Sequence, residues 1–152
     1  VHALEVKVEA CAGCHAGAAD PKDPETYRIA ADDWDGDGDV TEGVKGELTG
    51  FGERLYAAIQ AYAKEKGTPI VYDAHAYPYF FVDADEDGVP DAGERGPVGY
   101  NAWTPNLLKA AYNYQYYQKD PGAFAHNAKY VMQVLFDSIQ NVGGDTTGLK
   151  RP

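Results

Sequence analysis

The sequence holds two cysteines, and they lie in one short run that ends in a histidine: Cys11-Ala12-Gly13-Cys14-His15. Thiols a short turn apart can each add to one of the two vinyl groups of a single haem, while the adjacent imidazole reaches the iron from one face. Ala12 and Gly13 are small enough to let the backbone pass close to the macrocycle. Other uses of paired cysteines fit less well. A zinc site would need a second ligand pair, and no other cysteine exists. A thioredoxin-like dithiol should follow a strand and open a long helix. Leu4-Glu5-Val6-Lys7-Val8-Glu9 does alternate like a strand, but Ala16-Gly17-Ala18-Ala19-Asp20-Pro21 is poor helix material. The pentad predicts one covalent haem c, held by Cys11 and Cys14, with His15 on the iron.

A second group of residues is acidic. Asp83, Asp85, Asp87, Asp91 and Glu94 stand at positions 1, 3, 5, 9 and 12 of one stretch, with Gly88 at position 6 and Val89 at position 7. A calcium loop of the EF-hand type takes its oxygen ligands from these positions, using the backbone carbonyl at the seventh and glycine at the sixth for the sharp turn. Pro90 at position 8 departs from the usual aliphatic residue and the flanks do not read as a helix pair, so the expectation is a calcium loop without an EF-hand domain. Asp33, Asp35, Asp37 and Asp39 form a similar run with Gly38 sixth, but position 12 is Val44, so Glu42 or Glu47 would have to close the shell. Several like charges packed together without a cation are unfavourable, so two calcium ions are expected. Their role reads as structural, because one methionine cannot make the groove that calcium sensors expose.

The other face of the iron can take a second ligand from His2, His75, His126 or Met132. At 100° per residue His126 points away from the apolar stripe of the last helix, together with Tyr130, Gln133 and Asp137. His75 lies in Tyr72-Asp73-Ala74-His75-Ala76-Tyr77-Pro78, a loop able to fold over a porphyrin edge, whereas Met132 lies nearer the stripe and reads as core filler. His126 is the favoured sixth ligand, with His75, His2, Met132 and an open site as the alternatives.

Three helices must position these groups. Thr49 can cap one with Phe51, Leu55, Ala58, Ile59 and Tyr62 on a single face, stopped at Gly67. Thr104-Pro105 supplies a cap and an N1 proline for a second helix running to about Lys119. Asp120-Pro121 repeats that punctuation before the last helix, whose stripe of Phe124, Ala128, Val131, Leu135, Ser138 or Ile139, and Val142 ends at Gly143-Gly144. Ile70-Val71-Tyr72 and Tyr79-Phe80-Phe81-Val82 are brief extended segments. The length, 152 residues, suits one domain over 1–152, and 44% hydrophobic residues can form a core. No apolar run approaches the ~20 residues that span a bilayer. Thirteen basic against 24 acidic side chains give a net charge of −11, which repels nucleic acid. The fold class expected is mainly α: a loop-rich helical c-type cytochrome domain with two acidic calcium-type loops and little or no strand.

The segment from Tyr100-Asn101-Ala102-Trp103-Thr104-Pro105 through Lys119-Asp120-Pro121-Gly122-Ala123-Phe124-Ala125-His126-Asn127-Ala128-Lys129-Tyr130, with the helix after it, resembles the C-terminal helices of extracellular multihaem cytochromes c. The loop Tyr77-Pro78-Tyr79-Phe80-Phe81 running into Asp83 to Glu94 is similar to part of such proteins as well. The resemblance covers roughly the last half of the chain, to which the pentad is added at the front. It implies His15 as proximal and His126 as distal ligand. Where those proteins carry several attachment motifs, this chain carries one.

One haem carries one electron, so the expected role is electron transfer and not catalysis. A sensor or peroxidase with an open sixth position is the alternative. The partners expected are other cytochromes or copies of the chain itself, assembled into a haem-conducting filament in which a histidine could ligate a neighbour's iron. Tyr112, Tyr114, Tyr116 and Tyr117 occupy too wide an arc of one helix to share a single core, which leans toward assembly. Covalent haem attachment takes place outside the cytoplasm, so an extracytoplasmic site, periplasmic or at the extracellular surface, is expected, with a signal peptide ahead of Val1.

Overall fold

A computed structural model describes residues 10, 11, 13–15, 26, 27, 32–40 and 42–152. His2 and the strand-like run 4–9 lie outside the described residues. The order of elements is α1 (Val44–Glu65), β1 (Ile70–Tyr72), β2 (Phe80–Val82), α2 (Pro105–Lys119), α3 (Ala123–His126) and α4 (Ala128–Asn141). The mainly helical, loop-rich class holds, and no helix among the described residues is long and apolar enough to cross a membrane.

α1 is the axis of the fold, packing on α4, α2 and β1. Leu48, Phe51, Leu55 and Ile59 recur at three- and four-residue spacing, and all are buried. They meet Leu107, Ala110 and Ala111 of α2 and Val131, Met132, Leu135 and Ile139 of α4 in one core. Met132 is core filler, as expected, and is fully buried.

Two helix starts differ from the sequence expectation. α1 begins at Val44, six residues before the start that a Thr49 cap implies, with Gly43 as an extended N-cap that makes no side-chain bond. Thr49 sits inside the helix, where its hydroxyl donates to the Lys45 carbonyl at 2.9 Å. The early start is favoured by Glu47, an acid in the first turn whose carboxylate holds the preceding loop. The segment after Asp120-Pro121 is also two helices. The short α3 ends at His126, and Asn127 (φ −163°, ψ 57°) breaks the path before α4. The angular reading that placed His126 on the last helix therefore fails, although its exposed location holds.

The remaining signals act as read. Thr104 Oγ1 accepts from the Leu107 N–H at 3.2 Å with Pro105 at the first helical position. Gly67, at φ +88°, ends α1 in paired bonds from Gly67 N to Lys64 O and from Thr68 N to Ala63 O, and Gly143 and Gly144 end α4 in the same way. The two extended segments pair as an antiparallel hairpin, Ile70 with Val82 and Tyr72 with Phe80. Residues 73–79, which carry His75, form its connection.

Candidate haem and cation sites

Cys11 and residues 13–15 of the pentad form a tight turn. Cys14 N–H and His15 N–H both donate to the Cys11 carbonyl, at 3.0 and 3.1 Å, so the two cysteines lie one turn apart on a short reverse of the chain. Both thiols are free; Cys11 is half-buried and Cys14 exposed. The His15 side chain is exposed, and its ring stacks on Tyr27 with centroids 4.2 Å apart and planes 4° from parallel. Two unpaired thiols on one turn beside an accessible imidazole fit covalent haem attachment, with Cys11 and Cys14 forming thioether links and His15 the iron bond.

The candidate second ligands differ in their surroundings. His126 Nδ1 lies 3.5 Å from Asp120 Oδ1, and the side chain is 74% exposed. Asp120 Oδ1 also accepts the Gly122 N–H, and the imidazole covers Gly122 so closely that a Cβ there would strike the ring. A carboxylate facing Nδ1 leaves Nε2 as the nitrogen available to a metal, and acids placed in this way orient metal-bound histidines. His75 is exposed, and it is the backbone of this residue that is held, its N–H donating to Asp73 Oδ1 at 2.8 Å.

Asp73 is itself buried and pairs with Arg95 Nε at 2.5 Å. The His75 N–H, with help from the Arg95 guanidinium, holds its carboxyl below the usual 3.8. A folded-state value below the unfolded one means that the unfolded chain binds more protons in that range. The contribution is complete above about pH 4 and is lost as pH falls through the depressed value. Asp73→Asn is therefore expected to lower stability at neutral pH and to flatten the acid limb of the unfolding curve, the two proteins converging at the lowest pH. Parallel acid limbs in a denaturant titration would count against this pairing.

Both acidic loops adopt one backbone form. Positions 4 and 6 have positive φ in each: Gly36 (77°) and Gly38 (93°) in the first, Glu86 (63°) and Gly88 (78°) in the second. In each loop the N–H at position 5 donates to the carboxylate at 3, and that at 7 to the carboxylate at 5. In the second loop Glu94 Oε1 accepts from Ala84 N at position 2. In the first, the same position-2 N–H, that of Trp34, donates to Glu47 Oε2 at 2.7 Å, and Asp35 N follows at 3.0 Å. Glu47 thus takes the closing place that Val44 cannot fill, delivered by the first turn of α1.

Among the described residues, carboxylates converge in three groups with oxygens within 4.8 Å of one another: Asp33, Asp35 and Glu47; Asp35, Asp37 and Glu42; and Asp83, Asp85 and Glu94. Asp39, Asp87 and Asp91 belong to none of these groups, and the Asp87 and Asp91 carboxylates instead accept the N–H groups of Val89 and Gly93. In the second loop Asp83 is 5% exposed, its Oδ2 accepts from Gly88 N, and its buried Oδ1 has no hydrogen-bond partner. A desolvated carboxylate oxygen aimed into a ring of other carboxylates fits a hard cation. In the first loop burial, then repulsion from Asp35, Glu47, Asp37 and Asp39, pushes the Glu42 carboxyl up to about 7. Burial likewise raises Asp35.

The loops are braced against the helices. Gln60 of α1 donates to Gly88 O at 3.2 Å and Lys64 pairs with Glu86 at 2.8 Å. The first loop clasps the C-terminal tail: Lys150 N donates to Trp34 O at 2.7 Å, and a Cβ on Gly36 would collide with the Gly148 carbonyl.

No family model matches the chain, and no solved structure matches significantly. The chain is 29% identical over 140 residues to the C-type polyheme cytochrome OmcB of Geobacter sulfurreducens, in each of two strains, with 86% of this chain and 16% of that protein covered. It is 28% identical over 140 residues to OmcC of the same organism, covering 15% of it. Along most of its length, the chain resembles these c-type polyheme cytochromes and spans about 16% of theirs.

Proposed function

We propose that the chain is an electron-transfer module carrying one haem c outside the cytoplasm, with calcium in both acidic loops. The observation that supports this reading is the pentad turn, which presents two free thiols and an exposed imidazole within five residues. When bound, the haem supplies a site that gains and loses one electron. The residues of this chain anchor it through Cys11 and Cys14, hold its iron through His15, and offer the Asp120-oriented His126 as the second axial ligand. Denatured protein produced with a cytochrome maturation system is expected to keep one haem per chain in a pyridine haemochrome assay. A Cys11→Ala, Cys14→Ala double variant is expected to lose it entirely; unmodified protein that releases its haem on denaturation would sink the reading.

The partners in this reading are other cytochromes or further copies of the chain. The tyrosines of α2 support an assembly face. Tyr114 is buried and Tyr117 packs against the core, whereas Tyr112 and Tyr116 are 69% and 43% exposed, in line with Leu108 at 52%. Lys119 and Asp120 continue that surface toward His126. In this reading copies join through that face into a haem-conducting filament. Light scattering of the calcium-loaded holoprotein is expected to show a mass that rises with concentration. A monomer throughout would restrict the role to transient docking.

A further inference from the structure

The stack of Tyr27 on His15 has no part in attaching a haem, yet it is the closest and most nearly parallel ring contact among the described residues. We infer that Tyr27 is a positioning residue that sets the plane of the His15 imidazole about the iron–nitrogen bond. The inference rests on the reading of His15 as an iron ligand.

Three observations carry it. His15 is exposed, and among the described residues the face-to-face contact with Tyr27 is the one ring contact that it makes. Planes 4° from parallel at 4.2 Å leave little freedom for the imidazole to turn without losing that contact. Tyr27 is in turn tied to the main helix, because its carbonyl accepts the N–H of Val44, the first residue of α1, at 3.5 Å. The pentad thereby gains a link to the core that its own small residues cannot make. Groups behind a metal ligand fix its orientation and tune the metal, and at a haem the azimuth of an axial imidazole decides how the iron d orbitals split.

The test uses the holoprotein and compares Tyr27→Phe, which keeps the ring, with Tyr27→Leu, which keeps apolar bulk but no plane. Covalent haem content is measured first on each, so that absence of haem from the unmodified protein, which would defeat the haem reading itself, is recognised separately. With haem bound, Tyr27→Leu is expected to shift the low-spin EPR g-values and the midpoint potential, and Tyr27→Phe to leave both at the parent values. Unchanged g-values in Tyr27→Leu would overturn the inference, as would a Tyr27→Phe shift of equal size, which would assign the effect to the hydroxyl. A measurement on the unmodified protein stands independently of how the variants mature. In the reduced, diamagnetic state, nuclear Overhauser contacts between the Tyr27 and His15 rings are expected, and their absence overturns the inference whatever the variants do.

Discussion

Removing calcium from the purified protein with a chelator is expected to lower its thermal midpoint by roughly 8 to 16 °C. A cation present at a thousand times its dissociation constant stabilises the state that binds it by about 4 kcal/mol, and a domain of this size shifts about 2 to 4 °C per kcal/mol. The second loop sets the direction. Without a cation, Asp83 keeps a buried carboxylate oxygen without a hydrogen-bond partner beside Asp85 and Glu94, a desolvated arrangement that a divalent ion would neutralise. The effect reaches beyond the loop because Glu86 and Gly88 are tied to Lys64 and Gln60 of α1, and Arg95 just after the loop holds Asp73 under the His75 turn. Glu94→Gln removes the closing carboxylate charge while leaving an oxygen to accept the Ala84 N–H. This variant is expected to show a smaller chelator response than the parent, the residue of the response belonging to the first loop. Equal thermal midpoints with and without chelator would show that hydrogen bonds alone hold both loops.

The same loops show where sequence reasoning reaches its limit. Acids at alternate positions and a glycine sixth are local features, and both appear in the structure with the same pair of positive-φ residues. The ligand closing the first loop was narrower than a spacing rule can decide, because Glu42 and Glu47 both stand within reach along the chain. The structure places each in a different group, and Glu47 becomes the counterpart of Glu94 because α1 starts early enough to carry it into the loop. Helix ends were legible where side chains dictate them, at Thr104-Pro105, Gly67 and Gly143-Gly144. They were misread where the cap is a backbone conformation, as at Gly43, or where a dihedral alone breaks the path, as at Asn127. The Tyr27 stack carries no sequence signal at all. Tyr27 lies twelve positions after His15, at the end of a stretch without helical or strand periodicity.

His126→Ala is expected to have the largest spectroscopic effect of any single substitution, converting a low-spin bis-imidazole EPR signal of the oxidised protein to high spin. Asp120 is the reason. Its carboxylate faces His126 Nδ1 and is itself fixed by the Gly122 N–H, so Nε2 is presented by a turn of defined shape instead of a freely rotating surface side chain. The acid beside His75, Asp73, accepts that residue's backbone N–H and pairs with Arg95. Asp120→Asn would retain the hydrogen-bond acceptor but not the charge, and is expected to keep the low-spin signal while making the histidine easier to displace with added imidazole or cyanide. At 74% exposure His126 is open both to the haem of its own chain and to that of a neighbour. Dilution separates the two sources. A low-spin fraction constant over concentration would place ligand and haem in one chain, and a fraction falling on dilution would place them in two, making the axial bond itself the link of the assembly. A high-spin signal in the unmodified protein would remove His126 from the iron and turn the module toward binding exogenous ligands.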